Sequence, residues 1–177
     1  MSLFALVGAI EPGLVFAIVA VGFYLTFRIL DFPVLTVEGS FPLGAAVTAK
    51  LMVLGIDPWS ATACGALAGA VAGLVTAFLN LKLRILHILA GILTGIALYS
   101  VNLRIMAGPN VGLLNMPTVY SFGESLGIPS LFVPLIVLLV VVIIAMVVVD
   151  LFLATGFGLA MRASGAREKM PRARAGR

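Results

Sequence analysis

From Leu131 to Val149 the chain is uncharged throughout and built mainly of valine, leucine and isoleucine. A run of this length matches the hydrocarbon core of a bilayer, ~30 Å thick, which about 20 helical residues cross. Inside lipid every backbone N–H and C=O must find a partner within the protein, so such a run is expected to be helical. The remainder of the 177 residues has the same character, with 62% hydrophobic and only 10% charged side chains. Soluble domains carry roughly 25% charged residues. At a mean hydropathy of +1.23 there is too little charge to cover a water-facing surface, and lipid becomes the expected solvent of the exterior. The expected class is therefore all-α: a polytopic integral membrane helical bundle.

Besides 131–149, in which Pro134 falls in the first turn and Asp150 marks the end, four further spans are expected. The first covers about 12–29, with Pro12 in its first turn, and breaks at Arg28, Asp31 and Pro33. The second, 41–54, is too short to cross unaided unless Thr36–Ser40 also lies at membrane depth, so it is expected to be short or broken. The turn Gly55-Ile56-Asp57-Pro58 closes it. The third covers 59–79, headed by Trp59 at an interfacial position. The fourth covers 85–101, and a loop rich in proline and glycine runs from Asn102 to Gly127. The expected domain organisation is a membrane bundle over 1–153 and a cytoplasmic basic tail over 154–177. Met1 to Ile10 has no positively charged leader or small-residue cleavage pattern and is expected to belong to the mature protein.

Charge sets the expected orientation. Arg162, Arg167, Lys169, Arg172, Arg174 and Arg177 lie together in the tail. With five spans and this tail inside, Arg28, Lys82 and Arg84 are inside as well, leaving Arg104 outside. Lysine and arginine are retained on the cytoplasmic side, which puts the N-terminus outside and the C-terminus in the cytoplasm. A basic tail beside a long apolar run is read as a membrane signature, not a nucleic-acid site.

Two helices carry small-residue stripes. Ala61, Gly65, Gly69, Gly73 and Ala77 recur every four residues in the third span, and Gly91 and Gly95 repeat the spacing in the fourth. Such stripes let helix backbones approach closely, which matters where lipid supplies no hydrophobic drive between helices. The inventory for catalysis is nearly empty. There is no phosphate loop, no paired histidines and no Ser/His/Asp set. His87 is read as an interfacial histidine and Cys64 as a small buried hydrophobe. A lone cysteine allows neither an internal disulfide nor a cysteine-based metal site. Lys50 either snorkels to the outer interface or pairs with Glu38.

The segment from Asp31 to Pro42 is the informative one, with Glu38, Gly39 and Ser40 between a full helix and a short one. Ionisable groups near membrane depth face a water-filled path or a partner, and an interrupted short element points to a transport site. An ordinary cytoplasmic loop is the alternative.

Several stretches resemble permease subunits of bacterial ABC importers, of the branched-chain amino-acid type. They are Tyr24-Leu25-Thr26-Phe27-Arg28-Ile29-Leu30-Asp31-Phe32-Pro33, Leu35 to Ala46, Gly91-Ile92-Leu93-Thr94, Ala97 to Met106 with Gly108-Pro109-Asn110, and Thr155 to Gly165. The resemblance covers roughly 10–170, and its nearest part is a subgroup linked to amino-acid uptake. It implies a multi-pass subunit of the bacterial inner membrane that pairs with a second permease subunit. It also implies an extracytoplasmic solute-binding protein that delivers solute, and a cytoplasmic ATP-binding subunit. ATP would sit on that partner, so this chain is expected to bind no cofactor or metal and to be no enzyme. The stretch from Gly156 to Gly165 matches the start of a coupling element that docks in a groove of the ATPase.

Thr36, Glu38, Gly39, Ser40 and Asn102 are accordingly expected along the solute path, and Gly158, Arg162 and Gly165 at the ATPase contact. Members of the family continue past the coupling element with further spans. Here Glu168 to Arg177 drifts into a Pro/Arg/Ala/Gly-rich string, which reads as a frameshifted or truncated ending, with a missing half on a separate chain as the alternative. The expected function is import of a small solute, an amino acid, driven by ATP. The rivals are a stand-alone channel or ion-coupled carrier, and a non-transporting fragment held to other subunits by its glycine stripes.

Overall fold

The computed structural model describes residues 3–29, 35–114, 116–121, 129, 131–156 and 158–161. Every regular element among them is helical: α1 (Leu3–Phe23), a π-helical turn (Tyr24–Ile29), α2 (Val37–Val53), α3 (Pro58–Leu81), α4 (His87–Met106) and α5 (Val133–Ala154). Among the described residues four stretches are long and apolar enough to cross a membrane by length and composition, Ala5–Ile29, Pro58–Leu81, His87–Met106 and Val133–Ala154. The chain divides into two compact units, Met1–Phe32 with Gly123–Arg177, and Pro33–Phe122.

In the first unit α1 packs against α5. The helix starts at Leu3, so Pro12 lies inside it and not in its first turn as the sequence led us to expect. Proline inside a helix removes one ladder bond, and membrane helices tolerate this where side chains or local π geometry re-satisfy the freed groups. At the other end the ladder widens into the π turn, where the Thr26 hydroxyl bonds the carbonyls of Phe23 (3.1 Å) and Gly22 (3.3 Å). α5 likewise runs past its expected end. Asp150 sits a turn inside it, because the apolar residues from Leu151 to Leu153 carry the helix on to Ala154. Leu138, Val142 and Leu153 are buried while Ile144, Val148 and Leu151 are exposed, as a lipid-facing surface requires.

In the second unit α2 packs against both α3 and α4, which also touch each other. The ends of α3 are well specified. Gly55 closes α2 at φ +84°, with Gly55 N–H bonding Met52 O (2.9 Å) and Ile56 N–H bonding Leu51 O (3.1 Å). A left-handed glycine with those two bonds is the Schellman stop. Asp57 then caps α3, accepting from the N–H groups of Trp59 and Ser60 at 3.1 and 3.4 Å, and Pro58 sits where a missing N–H costs nothing. At the far end the Asn80 amide donates to Ile85 O (2.8 Å) and meets His87 Nδ1, tying the turn to the head of α4. His87 is thus a turn-stabilising partner.

Two boundaries in this unit, and two side-chain placements, differ from the sequence expectation. α2 begins at Val37, not 41, and is continuous. Gly39, Ser40 and Pro42 look like breakers in sequence, yet Pro42 needs only the carbonyl four residues back to be free, and that carbonyl lies in the first turn. α4 extends to Met106, so Asn102 and Arg104 are helical and not loop. Cys64 is exposed and not buried. Lys50 lies in the last turn of α2 and Glu38 in the first, about 18 Å apart along the axis, which excludes a direct pair.

The small residues behave differently along α3. Ala61 and Gly65 are buried, then the buried positions become Ala72, Thr76 and Asn80. Gly69 and Ala77 are half-buried and Gly73 is exposed. A strict four-residue repeat rotates about 40° per step around a helix with 3.6 residues per turn, so its later members leave the face where it began.

Candidate functional site

Three close contacts fix where α2 starts relative to its neighbours. A Cβ built on Gly91 would lie 3.0 Å from Leu35 N and 3.3 Å from Thr36 N, and one on Gly39 would lie 2.8 Å from Gly95 Cα. On the other side Thr36 Oγ1 is 2.9 Å from Thr76 Oγ1. Gly95 is well inside α4, about 12 Å along the axis from His87 at 1.5 Å per residue. Thr76 is similarly inside α3, more than a turn from its end at Leu81. The first turn of α2 therefore lies beside the interiors of α3 and α4, level with neither of the ends joined by the Lys82–Leu86 turn.

Thr36 is 1% exposed and does not cap its own helix. Thr76 spends its hydroxyl proton on Ala72 O (3.2 Å), which makes Thr36 the donor of the threonine pair. On the opposite side of α2 a cleft of ≈ 380 Å³ opens between α2 and α4. Its α2 wall is Leu35, Glu38, Gly39 and Pro42, and its α4 wall includes Gly91, Gly95, Tyr99 and Asn102. Ile92 and Ile96 supply hydrocarbon.

Of the residues expected along the solute path, the cleft brings together Glu38, Gly39 and Asn102. Thr36 and Ser40 are four apart and share the other face of α2: Thr36 meets Thr76, and the Ser40 carbonyl is the atom nearest a Cβ built on Gly69, at 3.7 Å. Gly91 and Gly95, read from sequence as packing residues, also line the cleft. Pro42 and Tyr99 were missed. Tyr99 is four residues beyond Gly95 and three before Asn102, so the helical period itself identifies it. Pro42 is identified by what it does to the ladder, because without an N–H it leaves the Glu38 carbonyl lacking its helical partner.

Two electrostatic features stand out. Among the described residues lining the cleft, Glu38 is the only Asp, Glu, Lys or Arg. Asn102 is 5% exposed, and its Oδ1 has no hydrogen-bond partner among the described residues. A buried acceptor left unpaired costs ~1–3 kcal/mol, so its retention in the wall of a cleft points to a donor arriving from elsewhere.

In the first unit, Gly158 follows α5 at a tight corner. A Cβ there would lie 2.5 Å from Phe152 O and collide with Leu153. The Thr155 hydroxyl bonds Phe152 O and accepts from Gly158 N–H at 3.4 Å, while Leu159 N–H bonds Thr155 O at 3.0 Å. Arg162 and Gly165, the other residues expected at an ATPase contact, lie outside the described residues, as do Asp31, Phe32, Pro33 and the basic tail.

Comparison with known proteins then supplies the family. The model of the branched-chain amino acid transport system permease component matches residues 6–175. A tyrosine transport system permease protein of Clostridioides difficile (strain R20291) is 36% identical over 165 residues, 93% of this chain and 53% of that protein. An uncharacterised protein of Rickettsia prowazekii (strain Madrid E) is 38% identical over 160 residues, 90% of this chain and 54% of that one. The chain thus spans about half the length of the curated relatives it matches. No solved structure matches it significantly. With nearly its whole length matched, and with four long apolar helices among the described residues, this chain belongs to the family of branched-chain amino acid transport system permease components.

Proposed function

We infer that this chain is a membrane-spanning permease subunit, or the first half of one, in an ATP-driven importer of an amino acid, tyrosine or a relative of it. The observation that carries the reading is a helix whose first turn lies beside the interiors of two long apolar helices and opens on a cleft whose described lining holds one carboxylate and one unpartnered amide oxygen. Family membership and the tyrosine transport named for the Clostridioides relative support the solute class. Half-helices that begin inside the membrane are how transporters present backbone groups to solute. The partners of such a subunit are a cytoplasmic ATP-binding protein, a second permease subunit and an extracytoplasmic solute-binding protein. The chain itself performs no catalysis, and ATP is held by the ATP-binding partner.

The orientation that goes with this reading has the N-terminus outside and the C-terminus in the cytoplasm of a bacterial cell, in its inner membrane. Lys82 and Arg84, between α3 and α4, are then cytoplasmic. In a Cys64→Ser background, a membrane-impermeant maleimide added to intact cells is expected to leave Lys82→Cys unlabelled and to label it in inside-out vesicles. Labelling in intact cells would reverse the topology. Gly158, with Arg162 and Gly165, is assigned to the ATPase contact, the corner at Gly158 setting the direction in which the coupling segment leaves α5.

The decisive experiment is uptake of radiolabelled tyrosine by proteoliposomes containing the chain with its partner subunits. Glu38→Gln is expected to lower the rate about tenfold or more, the usual consequence of losing a hydrogen bond to a charged group. Unchanged uptake would remove Glu38 from the solute path and with it this account of the cleft.

A further inference from the structure

We propose that the cleft between α2 and α4 is an ammonium site, which grips the amino end of its ligand through acceptors and makes no demand for a carboxylate. The inference deepens the permease reading of the same cleft and rests on it for the class of solute, though not for the chemistry of the site.

The argument begins with charge. Among its described residues the cleft is lined by hydrocarbon from Leu35, Pro42, Ile92 and Ile96 and by one carboxyl, that of Glu38, with no lysine or arginine. Because the first turn of α2 lies alongside the interiors of α3 and α4, this carboxyl, exposed on the wall of the open cleft, stands where an ionisable group faces a water-filled path or a charged partner. Lys50, on the same helix, is about 18 Å away along the axis and cannot serve.

Two further acceptors stand in the same walls. Pro42 leaves the main-chain carbonyl of Glu38 without its helical N–H, so the residue offers a carbonyl as well as a carboxylate. Asn102 is 5% exposed, and its Oδ1 is unpartnered among the described residues. An ammonium group has three N–H donors and no acceptor, which matches the carboxylate and the carbonyl of Glu38. Asn102 lies about 10 Å along α4 from the Gly39–Gly95 contact, so its oxygen is left for a second donor at the far end of the ligand, such as a phenol hydroxyl. Tyr99 adds an aromatic ring to the α4 wall, a surface that cations favour. The cleft's ≈ 380 Å³ lies within the ~300–1,000 Å³ range of small-molecule sites.

The test uses the purified full chain in lipid nanodiscs and three probes that share one ring. Tyramine has the ammonium alone, 3-(4-hydroxyphenyl)propionate the carboxylate alone, and L-tyrosine both. Tritiated tyramine is expected to bind, to be displaced by L-tyrosine, and to be displaced about tenfold less well, or worse, by the carboxylate probe. Glu38→Gln is nearly isosteric at an exposed position and is expected to weaken tyramine about tenfold. Asn102→Ala, and Pro42→Ala, which restores the missing N–H, are each expected to weaken it about threefold, in proportion to one neutral hydrogen bond. Thermal unfolding of each variant in the same nanodiscs separates lost binding from lost structure, and Glu38→Gln should unfold with the parent chain.

Equal displacement by the carboxylate probe overturns the proposal. So does tyramine binding that is indifferent to Glu38→Gln, or an absence of binding by all three probes at millimolar concentration. The outcome is separable from that of the uptake assay. Uptake that needs Glu38 without tyramine binding would leave the permease reading standing and end the ammonium site. Glu38-dependent tyramine binding with uptake unaffected by Glu38→Gln would do the reverse.

Discussion

Gly65→Leu is expected to eliminate monodisperse protein from detergent extracts, whereas Gly73→Leu, on the same helix, is expected to leave the elution profile unchanged. The two glycines belong to one sequence stripe, and only their surroundings differ. A Cβ on Gly65 would come 2.6 Å from the Gly44 carbonyl oxygen and would collide with the Thr48 hydroxyl, while one on Gly73 meets nothing within 4 Å. The Gly44 oxygen is backbone and cannot swing aside, so α2 and α3 would have to separate. Separation would also break the bond from Thr48 Oγ1 to Ala61 O (3.3 Å) and the Thr36–Thr76 pair. Overpacking costs ~1–3 kcal/mol when neighbours can adjust, and here they cannot, so the expected effect is at or beyond the upper end, about a hundredfold in the folded fraction. Fluorescence-detected size exclusion of the two variants side by side checks this. Equal profiles would mean that α2 does not press on α3 at Gly65.

The second large effect is an asymmetry across the other face of α2. Gly39→Ala places a methyl 2.8 Å from Gly95 Cα and 3.1 Å from Gly95 O, both backbone atoms, and forces α2 from α4. Gly95→Ala, made on the other member of the contact, meets nothing within 4 Å. Gly95 lines the cleft, so its new methyl adds to the wall without pushing the helices apart. Gly39→Ala is therefore expected to lower thermal stability by about 2 kcal/mol. Gly95→Ala is expected to be neutral or up to about 1 kcal/mol more stable, from helix propensity alone. Thermal unfolding followed by Cys64 labelling would be confounded by the exposure of that thiol, so the melting of far-ultraviolet circular dichroism is the measurement of choice. Reversal of the order would show that the pair is not arranged with Gly39 as the inward member.

What the sequence revealed follows from the range over which each signal acts. The spans at 59–79 and 131–149 were legible because a long uncharged run has one stable state in lipid, and the structure extends each by only a few residues. The start of α2 at Val37 was not legible, because Gly39, Ser40 and Pro42 are breakers on average, yet Gly39 and Ser40 N–H both bond Thr36 O and Pro42 costs the ladder only the bond to the Glu38 carbonyl. The stripe in α3 was visible as composition, but a four-residue repeat and a helical face part company after two turns, and only the neighbouring helix decides which glycines are pressed upon. The cleft was half legible. Glu38 and Asn102 are unusual residues in apolar surroundings and could be found singly. That they share a wall with Tyr99 and Gly95 depends on α2 running beside α4 and not only beside its sequence neighbour α3, information that no local pattern holds. Thr36 and Ser40 show the same limit from the other side, since neighbours in sequence diverge by about 100° per residue around a helix.

The buried start of α2 has a consequence for how the chain is made. A spanning helix can be released into the bilayer once its apolar residues have emerged, because both its ends rest in water or among headgroups. α2 has one such end. Its other end, with Thr36 bonded to Thr76 and Gly39 seated on Gly95, is satisfied only by residues the ribosome has not yet delivered when α2 itself emerges. Its final seating must therefore wait for α3 and α4, and the order of assembly in the second unit differs from the order of synthesis.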